Sequence, residues 1–224
     1  MSDPLPPPGG RPLPPDDDLP WSAFEPGELA ELLAGLDVPW RVSAGWAIDL
    51  AAGRRTREHE DLEIAIPSAV FPLVRQHLSQ FAFVVPGRDA DDRGRYWPSD
   101  DEAALAFSHQ TWARDTHGVF RFDVFREPHD GDTWICRRDP SIRRPYGEVV
   151  RTTADGVPYE APEVVLLFKA KHRRPKDEAD LATALPLLDD TAREWLLRAL
   201  ERVHPGHPWI ERVTTAPGRP APAG

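Results

Sequence analysis

Cysteine is almost missing from this chain of 224 residues. Cys136 stands alone, so no disulfide can close within the chain, which suits a reducing, cytoplasmic setting. No activating pattern surrounds it, and it reads as a small buried strand residue. Long apolar runs are missing too. None approaches the roughly 18 residues that span a bilayer, and the start of the chain offers Pro and Asp where a signal peptide has a basic and then an apolar block. Neither a membrane span nor a secretory leader is expected. Lysine is confined to positions 169, 171 and 176, and the net charge is −10. That balance argues against a surface built mainly to grip a phosphate backbone, which disfavours nucleic acid and suits a small cationic substrate.

Proline is plentiful and unevenly placed. Residues 1–20 are rich in Pro, Gly and Asp and predict a disordered or polyproline-like tail. Residues 206–224 predict a second loose tail. Between them, a core over 21–158 alternates strands and helices, and 159–205 is helical. Residues 86–103 carry many Asp and Gly and few apolar positions, so they predict a loop, with strands resuming at Leu105–Phe107 and Gln110–Arg114. Strands followed by helices predict an α+β fold: a mixed β-sheet core with flanking helices, then a C-terminal helical domain.

The acidic residues that matter are Asp61 and Glu63. Residues 61–66 read as a strand, along which side chains alternate faces. Asp61 and Glu63 then share one face while Leu62, Ile64 and Ile66 enter the core. Solvated edge-strand acids would explain the pair more blandly. Acids are poor strand formers, however, and two on one face repel unless a cation or proton lies between them. A third acid, Asp123, sits between Phe122 and Val124 in another strand. Were the two strands neighbours, Asp61, Glu63 and Asp123 would form a carboxylate cluster of the kind that holds divalent metal. Sixteen residues before Asp61, Ser43-Ala44-Gly45 reads as a small-residue turn opening a helix. Such a helix start offers free N–H groups and positive dipole to an anion.

These features together resemble the nucleotidyltransferase superfamily built on the DNA polymerase β fold. The longer pattern is similar to the aminoglycoside 2''-adenylyltransferase-related family. It comprises Gly45-Trp46-Ala47-Ile48-Asp49-Leu50, Gly53, Arg57, His59, Asp61-Leu62-Glu63-Ile64, Leu166 to Lys171 and Lys176 to Leu181. The resemblance covers roughly residues 27–203. It implies a nucleotidyltransferase core and a helical domain closing over the nucleotide. It implies Mg²⁺ on Asp61, Glu63 and Asp123, with Asp123 helping to deprotonate the acceptor. It implies ATP, or another nucleoside triphosphate, as co-substrate. Ser43, Ala44, Gly45, Arg57 and Lys169 are the expected nucleotide contacts. Ala44 replaces the usual first Gly, and Glu63 the commoner Asp. His59 reads as a structural hydrogen-bonder. Lys169 and Lys171 lie two apart on one helix, so at most one faces a site.

The activity implied is transfer of a nucleoside monophosphate to a hydroxyl of a small, aminoglycoside-like acceptor, as in antibiotic resistance. Two rivals fit the same motif: a toxin-type nucleotidyltransferase acting on RNA or protein, which calls for a basic groove, and a non-catalytic nucleotide-binding module.

Overall fold

The computed structural model describes residues 5–13, 19–87 and 94–216. The chain forms two compact units, Met1–Trp40 with Glu60–Pro128, and Arg41–His59 with His129–Gly224.

The first unit contains β1 (Arg11–Pro12) and α1 (Pro26–Leu32). The elements β2 (Arg41–Val42) and α2 (Ala44–Ala52), next in the chain, belong to the second unit. The first unit resumes with β3 (Glu63–Pro67), α3 (Phe71–His77), β4 (Ala82–Pro86), β5 (Arg95–Pro98), α4 (Glu102–Phe107), β6 (Gln110–Arg114) and β7 (Phe120–Glu127). Its strands lie in the order β1-β5-β4-β6-β7-β3. All neighbours are antiparallel except β3 and β7, which run parallel with Glu63 opposite Asp123. Strand β3 is buried on both faces beyond Glu63, which its apolar run Ile64-Ala65-Ile66 allows. Leu62, Ile64 and Ile66 are fully buried, and Phe122 and Val124 of β7 are buried beside them.

The second unit adds β8 (His129–Asp130), β9 (Thr133–Ile135), β10 (Arg143–Pro145), α5 (Tyr146–Val149), β11 (Val150–Thr152) and β12 (Pro158–Glu160). Its helices continue with α6 (Pro162–Lys169), α7 (Pro175–Ala184), α8 (Asp190–Val203) and α9 (Trp209–Thr215). Strand β12 pairs parallel with β2 and antiparallel with β11, while β8, β9 and β10 make a separate antiparallel sheet. The core of this unit gathers Ile48 of α2, Trp134, Val165 and Leu166 of α6, Leu196 of α8 and Trp209 of α9. Cys136 is buried here, and burial pushes its thiol up.

The α+β reading holds, and the structure departs from the expected boundaries in four places. The second unit is not purely C-terminal, because it takes in residues 41–59. Part of the expected N-terminal tail is built into the first unit. The Trp97 indole donates to the Pro7 carbonyl, and a side chain at Gly10 would collide with the Trp97 ring. Within the expected loop 86–103, Arg95–Pro98 is a strand, and Leu105–Phe107 belongs to helix α4. Asp101 caps that helix by accepting from the N–H groups of Ala103 and Ala104. At the other end, α9 replaces part of the expected loose tail and buries Trp209. Residues 1–4, 14–18 and 217–224 of the expected tails, and 88–93 of the expected loop, lie outside the described residues. No helix among the described residues is long and apolar enough to cross a membrane.

Candidate active site

In the first unit, the β3–β7 register puts Asp123 directly beside Glu63. The Asp123 N–H also donates to the Leu62 carbonyl at 2.8 Å, so the pairing reaches back towards Asp61. Asp123 is 4% exposed. Its Oδ2 accepts from Gln110 Nε2 at 2.7 Å, whereas the buried Oδ1 has no hydrogen-bond partner among the described residues. Burial raises the Asp123 carboxyl. The Gln110 hydrogen bond opposes this and the nearby Asp61 charge adds to it, leaving Asp123 at about 7. Trp112 stands opposite Asp123 on β6, and its indole also favours the carboxylate.

Asp61 and Glu63 are both half-buried and flank the buried Leu62, as alternation requires. Strand β3 begins only at Glu63, so Asp61 stands just off its end. The expected closed cluster of three carboxylates is therefore looser than anticipated. Among the described residues, no three His, Cys, Asp or Glu side chains are gathered closely enough to hold a metal as they stand. The donor set still suits Mg²⁺. That ion takes hard oxygens, and one or two carboxylates with waters and substrate phosphates suffice for it. The orphaned, buried Asp123 Oδ1 is the atom a cation would satisfy.

In the second unit, Ser43 is the N-cap of α2, but its hydroxyl makes no capping bond. It donates instead to Glu160 Oε2 at 2.7 Å, and Glu160 Oε1 accepts from the buried Arg41 at 3.0 Å. The expected phosphate contact from Ser43 is thus a buried bond to Glu160, which no sequence pattern announced. Ala44 has φ +50°, the left-handed region that favours glycine. Ala44→Gly is expected to raise the unfolding free energy by about 0.5–1 kcal/mol, since relieved strain of about 1–2 kcal/mol exceeds the added freedom of the unfolded chain. A denaturant midpoint unchanged or lowered would refute this.

Gly45 is required by close packing. A Cβ there would lie 2.1 Å from Arg57 Nη2 and 2.9 Å from His59 Cε1. Arg57, 22% exposed, bonds to Asp180 through Nε at 3.0 Å and Nη2 at 3.2 Å. His59 Nε2 lies 2.7 Å from Asp49 Oδ2, and the His59 ring stacks on Trp46 at 4.3 Å. Burial lowers the His59 pKa, with Asp49 working against that shift. Burial alone would raise Asp49, but hydrogen bonds from Thr56 and His59 outweigh it and hold the carboxyl down. His59 is thus a structural hydrogen-bonder. Lys169 is buried at the end of α6, with Nζ 2.7 Å from Asp180, while Lys171 is exposed beyond the helix. Of the two lysines, Lys169 alone faces inward.

Comparison with known proteins is consistent with this geometry. Residues 27–110 match the family model of aminoglycoside-2''-adenylyltransferase. The fold is shared with the lincosamide antibiotic adenylyltransferase LnuA in its lincomycin-bound crystal structure. That likeness has 15% identity and TM-score 0.51, and covers 74% of this chain and 99% of that one. ANT(2'')-Ia in complex with adenylyl-2''-tobramycin is similar at 14% identity and TM-score 0.52, over 79% of this chain and 97% of that one. No curated protein matches the sequence.

Proposed function

We propose that this chain is a nucleotidyltransferase of the aminoglycoside-2''-adenylyltransferase kind, a reading supported by the family-model match over residues 27–110 and by the shared fold, and that it transfers AMP from ATP to a hydroxyl of a small, cationic, antibiotic-like acceptor, with Mg²⁺. The observation that carries this reading is Asp123, a buried carboxylate beside Glu63 with one oxygen held by Gln110 and the other unpartnered. A carboxyl held near 7 is suited to accept a proton at neutral pH.

In this mechanism the acceptor hydroxyl gives its proton to the Asp123 carboxylate as its oxygen bonds to the α-phosphorus. The bond from that phosphorus to the β-phosphate oxygen breaks, and pyrophosphate leaves with the electron pair. Glu63 and Asp123, with Asp61 beside them, would hold Mg²⁺, which when bound supplies Lewis-acid stabilisation of the phosphate charge. Gln110 keeps the Asp123 carboxyl in a fixed orientation. Considered by itself, the second unit carries N–H groups at the start of α2 and the cations Arg57 and Lys169, groups suited to phosphates. The net charge of −10 suits a polycationic acceptor.

The test is pyrophosphate release with Mg²⁺, each of the four nucleoside triphosphates, and panels of aminoglycosides and lincosamides, beside an Asp61→Ala control. Release that needs one acceptor and disappears in the variant supports the reading and names the substrate. Tight nucleotide binding without release from any small acceptor would favour a macromolecular acceptor or a binding role.

A further inference from the structure

Resting on that nucleotidyltransferase reading, we propose that Asp180 is a positioning residue that holds Arg57 and Lys169 together as one polyphosphate-binding unit. The two acids at the start of α7 have different tasks. Asp177 is consumed at the helix start, where it accepts from the Arg174 N–H at 2.9 Å and from the Arg174 side chain. Asp180 lies almost one turn further on, 1% exposed, and no cap needs it. It accepts three charge-assisted hydrogen bonds, two from the Arg57 fork and one from Lys169 Nζ.

A two-pronged Arg–carboxylate bond fixes the plane of the guanidinium as well as its position. That plane lies against Gly45, where the first turn of α2 presents N–H groups without helical partners. Burying a carboxylate is costly, and a surface Glu or Gln would fill a helix position more cheaply. What the buried Asp180 achieves is to bring two cations from distant parts of the chain onto one carboxylate. Lys169 also reaches Asp177 Oδ1, at 3.5 Å. Three cations, Arg57, Lys169 and Arg174, thus face two carboxylates. Arg57 and Lys169 should then contribute to phosphate binding jointly, and both contributions should depend on Asp180.

The experiment is calorimetric titration of the full chain with ATP and, separately, with inorganic tripolyphosphate, both with Mg²⁺. Thermal melts accompany each variant. Asp180→Asn is expected to raise Kd for both ligands by about tenfold. In an Arg57→Gln background the same change is expected to add less than about twofold, because coupled residues are not additive. An Asp180→Asn protein that folds and binds tripolyphosphate within twofold of wild type overturns the proposal whatever its melt, since a purely structural tie changes the melt and not Kd. If Asp180→Asn does not fold, Asp180→Glu keeps the charge but shifts both cations, and unchanged binding there overturns the proposal equally. Wild type binding neither ligand would overturn the nucleotide reading itself, an outcome distinct from normal wild-type binding with an indifferent variant.

Discussion

Asp123→Asn is expected to lower the transfer rate by about 10²–10⁴-fold, the range typical of removing a general base, and also to make the metal-free protein more resistant to heat at pH 8. The second effect follows from the direction of the shift. The folded Asp123 carboxyl sits at about 7, above the ordinary aspartate value of 3.8. Below the lower value both the folded and unfolded states hold the proton. Between the two, the folded state binds more protons than the unfolded one. Stability from this group is therefore full at acid pH and falls as pH rises through about 7. Asn is neutral throughout and escapes that loss, while Gln110 remains as a partner for the amide. Melting with chelator at pH 5 and pH 8 reads this directly, and the gain of Asp123→Asn over wild type should be larger at pH 8 than at pH 5. Gln110→Leu should melt lower than wild type at pH 8, because it removes the bond that favours the charged form. Adding Mg²⁺ at pH 8 should raise the melting temperature of wild type and leave Asp123→Asn unmoved, since only a ligand that binds the folded state stabilises it. Equal melts at both pH values, or activity within tenfold of wild type, would remove Asp123 from the role argued for it.

The carboxylates were legible in the sequence because a strand imposes a period of two. Asp61 and Glu63 announced themselves against Leu62, Ile64 and Ile66, and the misfit of Asp123 between Phe122 and Val124 marked it. What placed Asp123 beside Glu63 was strand register, a contact spanning sixty residues that no local pattern encodes. Gln110 escaped notice for the same reason: a neutral amide on a strand gives no signal until its partner, thirteen residues on, is known. The acid-rich stretch after Pro86 hides a strand because local composition carries no information about long-range pairing. Arg95–Pro98 is held by β4 on one side and by the N-terminal segment at Arg11–Pro12 on the other. Charge density says little about a backbone whose hydrogen bonds are satisfied at long range. The helix at Glu102–Phe107 was legible in principle, since Asp101 before Glu102-Ala103-Ala104-Leu105-Ala106 is a capped run of good helix formers.

Glu160→Ala is expected to lower the unfolding free energy by about 3–5 kcal/mol, the typical cost of removing one member of a buried ion pair. Glu160 is 2% exposed and divides its oxygens between two partners, Oε1 for Arg41 and Oε2 for the Ser43 hydroxyl. Arg41 is fully buried, with its guanidinium 5.7 Å from the Tyr146 ring centre. The same carboxylate thereby ties β2, the N-cap of α2 and the end of β12 into one knot. Two further variants separate charge from shape. Glu160→Gln keeps the size and the bond from Ser43 but loses the charge facing Arg41, so its cost should lie between wild type and Glu160→Ala. Arg41→Met with Glu160→Met should recover most of the loss, because apolar replacements for a buried pair remove the desolvation cost along with the attraction. In that double variant Ser43 no longer has Glu160 to bond. A protein that recovers its stability but binds ATP more weakly would show that the knot orients the turn at Ala44 and Gly45 as well as stabilising the unit. Chemical denaturation of the three variants measures the first part and calorimetric ATP titration the second. If Glu160→Ala costs less than about 1 kcal/mol, the level of an exposed surface pair, the knot is not what holds these elements together.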